Sequence, residues 1–204
     1  MLQNTLKKNI WKDHYFHKAK KESFPARSVY KLQEIQRKYR IIKKGARIID
    51  LGCFPGSWLL YVAELAGNKG KIVGIDIKPV TVKIPSHVRV FRTDILSDAM
   101  NDDTQLQQIF KNGFNVVLSD MGPDTTGNKN VDNTKSYNLC QAALQIANKT
   151  LMPGGAFVCK IFQGDDFTKF LGAVKSSFRQ SRIFKPQSSR KSSREIYIIG
   201  LGKK

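Results

Sequence analysis

Short apolar runs alternate with segments of helical period along almost all of this 204-residue chain, and that alternation restricts the fold more than any single motif. RIIDL (47–51), KIVGID (71–76), VRVF (88–91), NVVLSD (115–120) and AFVCKIF (156–162) read as buried strands. Helical spacing marks SVYKLQEIQRKYRII from Ser28, SWLLYVAELAG with its stop at Gly67, and the stretches 102–111, 133–151 and 165–178. Strands joined through helices must cross over and pair in parallel. SRIFKP (181–186) and EIYIIGL (195–201) have no helix between them, so they pair antiparallel. The expected fold is α/β and Rossmann-like: seven strands, mostly parallel, one reversed, with helices on both faces. Residues 25–204 are expected to form one domain behind a basic extension over 1–24.

Such sheets bind ligands beyond the carboxyl ends of their strands, where strand order reverses. Three acids fall at such ends. Asp50 closes the first strand beside Gly52 and Gly56. Asp76 closes the second, twenty residues after Gly56, a spacing that suits a carboxylate bonded to a ribose diol. Asp94 follows the third, where an adenine amino group needs an acceptor. The intervening loop is DLGCFPGSW. It has neither the three-glycine fingerprint of a pyrophosphate site nor the Gly-Lys-Ser/Thr of a phosphate loop. A tight glycine turn without a phosphate cradle suits a nucleoside without phosphates. S-adenosylmethionine is one, and as a cation it is drawn to acidic strand ends.

Four more charges share this edge. Asp120 ends NVVLSD. Lys160 interrupts an apolar strand, where an amine is expensive to bury unless paired or neutral. Glu195 begins the reversed strand, so it lies at the carboxyl ends of its neighbours. Lys31 sits early in the first helix. Each alone is an ordinary surface or salt-bridged charge; together they form a candidate catalytic group. A ribose 2′-hydroxyl is a poor nucleophile and must lose its proton as it attacks a sulfonium methyl. A free lysine, with a pKa of ~10.4, is mostly protonated at neutral pH. Burial and a neighbouring cation make it a usable base.

With these residues on the page, the chain resembles the FtsJ/RrmJ (RlmE) ribose 2′-O-methyltransferases over nearly its whole length. The segments that carry the resemblance are HKAKKESFPARSVYKLQEI, DLGCFPGSW, GIDIKP, VLSDMGPDTTG, LMPGGAFVCKIFQG and PQSSRKSSREIYIIG. The resemblance implies a class I S-adenosylmethionine-dependent methyltransferase. It implies a Lys-Asp-Lys-Glu tetrad at Lys31, Asp120, Lys160 and Glu195, with Lys160 as general base. It implies cofactor contacts at Gly52, Gly56, Ser57, Trp58, Asp76, Asp94 and Asp120. The implied target is a uridine of large-subunit (23S-type) ribosomal RNA; tRNA is the alternative, because the tetrad reads a ribose rather than its sequence context. The commonest bacterial pattern has PGGW and DMAPN where this chain has PGSW and DMGPD. The tetrad is untouched by these changes, but Ser57 replaces a glycine and Asp124 adds a negative charge near the substrate mouth.

Charge distribution agrees with an RNA partner. Lys and Arg outnumber Asp and Glu by 35 to 16. Residues 1–47 hold 14 basic and 3 acidic side chains, and residues 175–204 hold 9 and 1. The body between is neutral. Segregated positive charge favours a polyanion-binding face over a merely solvated surface. Trp11, Tyr15 and Phe16 are candidates for stacking on bases, with core packing the plain alternative. Three scattered cysteines suggest neither a zinc site nor a disulfide framework, and point to a reduced, cytoplasmic setting. No metal, no membrane and a monomer are expected; a mitochondrial matrix location is the alternative, weakened by a Lys-rich rather than Arg- and Ser-rich start. A non-catalytic RNA-binding assembly factor on the same scaffold is the competing class, disfavoured because all four tetrad positions are intact. The missing fingerprint glycines disfavour a dehydrogenase.

Overall fold

The computed structural model describes residues 14–190 and 192–204. Trp11 and residues 1–13 of the expected basic extension therefore lie outside the described residues. Residues 14–21 are helical (α1). The elements that follow are α2 (Val29–Tyr39), β1 (Arg47–Leu51), α3 (Ser57–Ala66), β2 (Lys71–Asp76) and β3 (Val88–Arg92). Then come α4 (Ala99–Asp102), α5 (Thr104–Phe110), β4 (Phe114–Ser119), α6 (Lys129–Thr150), β5 (Leu151–Phe162), α7 (Phe167–Ser177), β6 (Phe178–Phe184) and β7 (Glu195–Lys203).

All seven expected strands join one sheet in the order β3-β2-β1-β4-β5-β7-β6. Only β7 runs against its neighbours, pairing antiparallel with both β5 and β6. The order reverses between β1 and β4, which pair directly. Both faces of the sheet are covered, which is why its central strands read as continuous apolar runs. Ile49, Leu51, Val117, Phe157 and Ile198 face α5, α6 and α7. Ile48, Val116, Val158, Tyr197 and Ile199 face α2 and α3.

Several boundaries differ from the sequence reading for local reasons. The Asn128 side chain caps α6 by accepting from the Asn130 and Val131 amides, so the helix starts before residue 133. Asp103 caps α5 through the Leu106 amide and separates it from α4, splitting the helix expected over 102–111. β4 ends at Ser119, which leaves Asp120 just beyond the strand. At the N-terminus, α1 packs on the body. Ala19 is buried with Val29 and Tyr30 of α2. The Tyr15 ring lies 5.2 Å from the Tyr30 ring, tilted by 45°, and Lys18 lies 4.7 Å over the Tyr30 ring. Phe16 points outward and is more than half exposed.

Candidate active site

Because β1 and β4 carry crossovers to opposite sides, their carboxyl ends part and leave a crevice. A cleft of about 710 Å³ occupies it, lined among others by Gly52, Asp76, Asp94, Asp120, Lys160 and Glu195. A hollow of similar size, about 730 Å³, runs beside edge strand β3 between Arg89, Phe91 and Gln108. No carboxylate lines that second hollow, so the acids singled out in the sequence lie at the first.

One half of the cleft suits a nucleoside. Gly52 has a positive φ of 74°, and a Cβ there would run into Met121. Its amide donates to the Ile75 carbonyl at 2.8 Å, tying the β1 turn to β2. Gly56 has φ 109°, and a Cβ there would approach Val82 to 2.7 Å. These turns need glycine for conformation and for space. Asp76 accepts from the Phe54 amide at 2.8 Å and the Lys78 amide at 2.7 Å, which fixes its carboxylate at the strand end. Asp94 accepts from the Leu96 amide at 2.9 Å. Phe54, Ile77 and Leu96 line the cleft around these acids and remain exposed although apolar. Apolar flanks beside two fixed carboxylates fit a flat base and a ribose diol.

Asp50 lies beneath this half, fully buried, and neither of its carboxylate oxygens has a hydrogen-bond partner. Burial, and then the nearby Asp120 and Asp76 carboxylates, push its carboxyl well above the usual range. An acid whose folded-state pKa is raised binds its proton more tightly when folded. Above the unfolded value of about 4, this group therefore costs stability increasingly as pH rises toward the folded value. Asp50→Asn should remove that slope. Thermal unfolding of the cofactor-free protein should show the variant gaining on wild type between about pH 5 and pH 8. A difference in Tm that stays constant across that range would contradict the assignment.

The other half of the cleft is lined by three of the four expected tetrad members, Asp120, Lys160 and Glu195; Lys31 does not line it but reaches Glu195, so the four form two ion pairs. Lys160 Nζ is 3.2 Å from Asp120 Oδ1 and donates to the Asp120 carbonyl at 2.5 Å. Lys31 Nζ is 2.8 Å from Glu195 Oε1. All four side chains are largely buried. The strand register explains the convergence: Lys160 is paired with Tyr197, and Phe162 with Glu195. Burial alone would raise the Asp120 carboxyl, but Lys160, Lys31 and the Tyr197 hydroxyl together hold it below the usual carboxylate range.

Tyr197 was not among the residues expected from the sequence. Its hydroxyl donates to Asp120 Oδ1 at 2.5 Å, and its ring stacks on Trp58 with centroids 6.2 Å apart. EIYIIG carries the signal: period-two spacing puts Tyr197 on the face of Glu195, and a buried tyrosine hydroxyl needs an acceptor. Of the expected cofactor contacts, Gly56, Ser57 and Trp58 do not line the cleft, and the two side chains among them are engaged elsewhere. The Ser57 hydroxyl accepts from the Ala26 amide at 2.7 Å, and Trp58 Nε1 donates to the Ser28 carbonyl at 2.9 Å. Both are buried and neither lines the cleft. They anchor the approach to α2, and thereby Lys31.

The mouth is held by Arg194. Its guanidinium lies 5.6 Å over the Phe162 ring, donates to Asn133 Oδ1 at 2.9 Å and sits 3.9 Å from Asp132. Asp132 accepts from the Thr126 amide and hydroxyl at 2.8 and 2.9 Å. This pins the loop that carries Asp124. Chiefly the Thr126 amide keeps the Asp132 carboxyl below its ordinary value. Among the described residues no group of three His, Cys, Asp or Glu side chains is arranged to hold a metal ion. No described helix is long and apolar enough to cross a membrane.

Comparison with known proteins adds the family. The model of the FtsJ-like methyltransferases matches residues 24–203. A protein of Desulforapulum autotrophicum named ribosomal RNA large subunit methyltransferase E is 52% identical over 198 residues, covering 97% of this chain and 96% of its own. The Bdellovibrio bacteriovorus protein of the same name is 45% identical over 193 residues, covering 95% and 97%. A candidate ribosomal RNA methyltransferase of Plasmodium falciparum has a crystal structure that superposes with a TM-score of 0.78 at 30% identity, over 88% of this chain and 98% of that one. Human methyltransferase-like protein 13, solved with SAH, shares the fold alone: its TM-score is 0.55 at 17% identity, over 79% of this chain and 77% of that one.

Proposed function

The chain belongs to the FtsJ-like methyltransferase family, and on that premise we propose that it transfers a methyl group from S-adenosylmethionine to a ribose 2′-hydroxyl of large-subunit ribosomal RNA. The observation that carries the reading is the Lys160–Asp120 pair on the wall of a cleft whose other half is built for a nucleoside. Asp76 would hold the cofactor's ribose diol and Asp94 its adenine amino group, with Gly52 giving the close backbone approach. When bound there, the cofactor supplies an electrophilic sulfonium methyl group.

The tetrad's work is to hold and relieve the attacking hydroxyl. Once the paired ammonium has given up a proton to solvent, Lys160 has two N–H donors and one lone pair. Asp120 offers two acceptors, its carboxylate and its carbonyl. With both donors so engaged, the lone pair is left for the ribose proton. Tyr197 and the Lys31–Glu195 pair keep Asp120 and the opposite wall in place. In-line positioning of this kind supplies a large share of the rate. Exposed cations of α2 and of the loop before Glu195 would take the RNA phosphates. Three buried free cysteines fit a reducing compartment such as the cytoplasm.

The test is incubation with assembled large subunits, naked ribosomal RNA and tRNA, followed by mapping of 2′-O-methylated nucleotides. Modification of a single ribose in large-subunit RNA is expected. Methylation confined to tRNA would overturn the substrate, and methylation on a base would overturn the chemistry.

A further inference from the structure

Glu34 lies in the strongly basic N-terminal part of the chain, yet its carboxylate faces another basic segment. Its oxygens accept from two successive backbone amides of the loop between β6 and β7: Gln187 at 2.7 Å and Ser188 at 2.8 Å. Arg27, in the turn just before α2, reaches the Ser188 carbonyl at 3.5 Å. One turn before Glu34, Lys31 holds Glu195, the residue on which the loop ends. Helix α2 thus grips both the beginning of residues 185–194 and the acid that follows them.

Electrostatics alone would drive these surfaces apart. Arg27, Lys31, Arg37 and Lys38 lie on or beside α2, while Lys185, Arg190 and Arg194 lie in the loop. Burial, and then Arg190, lower the Arg27 pKa, as expected where guanidinium groups crowd. A carboxylate receiving two amides makes charge-assisted hydrogen bonds and offsets that repulsion. With the loop docked, Pro186, Ser188 and Ser189 are buried.

We infer that Glu34 is a positioning residue for methyl transfer: it docks the 185–194 loop on α2, so that Glu195 and the loop's cations meet the RNA strand in one fixed arrangement. The inference rests on the RNA methyltransferase reading and names a part of the machinery outside the tetrad. Glu34 touches neither the cleft nor the paired lysines; it acts through the loop.

The experiment compares wild type, Glu34→Ala and Glu34→Gln on assembled large ribosomal subunits. It measures kcat, KM for the subunit, cofactor affinity and tryptic cleavage within 185–194. Loss of two charge-assisted bonds should raise KM about 10-fold and lower kcat about 5-fold in Glu34→Ala. Cofactor affinity should stay within about twofold of wild type, because Asp76 and Asp94 are fixed by the Phe54, Lys78 and Leu96 amides and not by the loop. Glu34→Gln keeps one carbonyl oxygen and should fall between the two. Faster cleavage of the loop with KM and kcat unchanged would overturn the inference, since the contact would then be structural only. Cofactor affinity falling in step with kcat would overturn it as well. If Glu34→Ala does not fold, Glu34→Gln decides alone, and wild-type kinetics in it count against the proposal. If wild type methylates no RNA, the underlying functional reading has failed and the inference falls with it; an active wild type with an indifferent Glu34→Ala fails only the inference.

Discussion

Lys160→Ala is expected to lower the rate of methyl transfer to bound RNA by about 10²- to 10⁴-fold, the range of a lost general base. Cofactor affinity should change little, because Asp76 and Asp94 are fixed by backbone amides independent of Lys160. Single-turnover transfer from labelled cofactor to prebound RNA separates chemistry from binding. Lys160→Arg sharpens the result. A guanidinium keeps the positive charge beside Asp120 but does not deprotonate in proteins. A base role predicts that the arginine variant is nearly as slow as the alanine variant. If arginine restores most of the rate, the residue works as a fixed cation, and the lone pair assigned to it in the transfer step has no part.

The seven strands, and three of the four charges grouped at their edge, were legible for one physical reason. A parallel sheet buried on both faces writes its strands as apolar runs, and a charge inside or at the end of such a run stands out. Lys160 within AFVCKIF and Glu195 at the head of β7 were found that way, and the register brings both to one edge. Side-chain direction in the turn after β1 was not legible. Ser57 and Trp58 were expected to contact a cofactor, yet their side chains point back to Ala26 and Ser28. Only packing against the turn that leads into α2 decides that, and all of α2 separates that turn from β1 in the chain. Tyr197 escaped notice because an aromatic in an apolar strand looks like core, and its ring is core; its hydroxyl alone belongs to the site. Glu34 was invisible for the opposite reason. Its partners are backbone amides 153 and 154 positions away, and no residue type advertises them.

Asp120→Ala should have the second large effect, and it reaches stability as well as rate. The variant removes the acceptor of the Tyr197 hydroxyl and the counter-charge of Lys160, both largely buried. Breaking one side of such a pair costs about 3 kcal/mol, near the lower end for buried ion pairs. For a domain of this length that corresponds to a fall in Tm of roughly 6–12 °C. The rate should drop about 10²-fold or more, because Lys160 loses the carboxylate acceptor that orients its amine. The double variant Asp120→Ala/Lys160→Ala then tests whether the two act as one unit. It no longer strands an amine, so it should be more stable than the sum of the single losses predicts, by about 1–3 kcal/mol. Its rate should be close to that of Lys160→Ala alone, because a base already absent needs no orientation. Acid provides an independent check. Asp120 is held below its ordinary value, so its contribution is fully present above about pH 4, the unfolded value, and disappears as pH falls through the lower folded one. Urea unfolding of the cofactor-free proteins should therefore show wild type and Asp120→Ala converging below about pH 4. Additive rate losses in the double variant, or a stability gap unchanged by acid, would mean that Asp120 and Lys160 are neighbours without being partners.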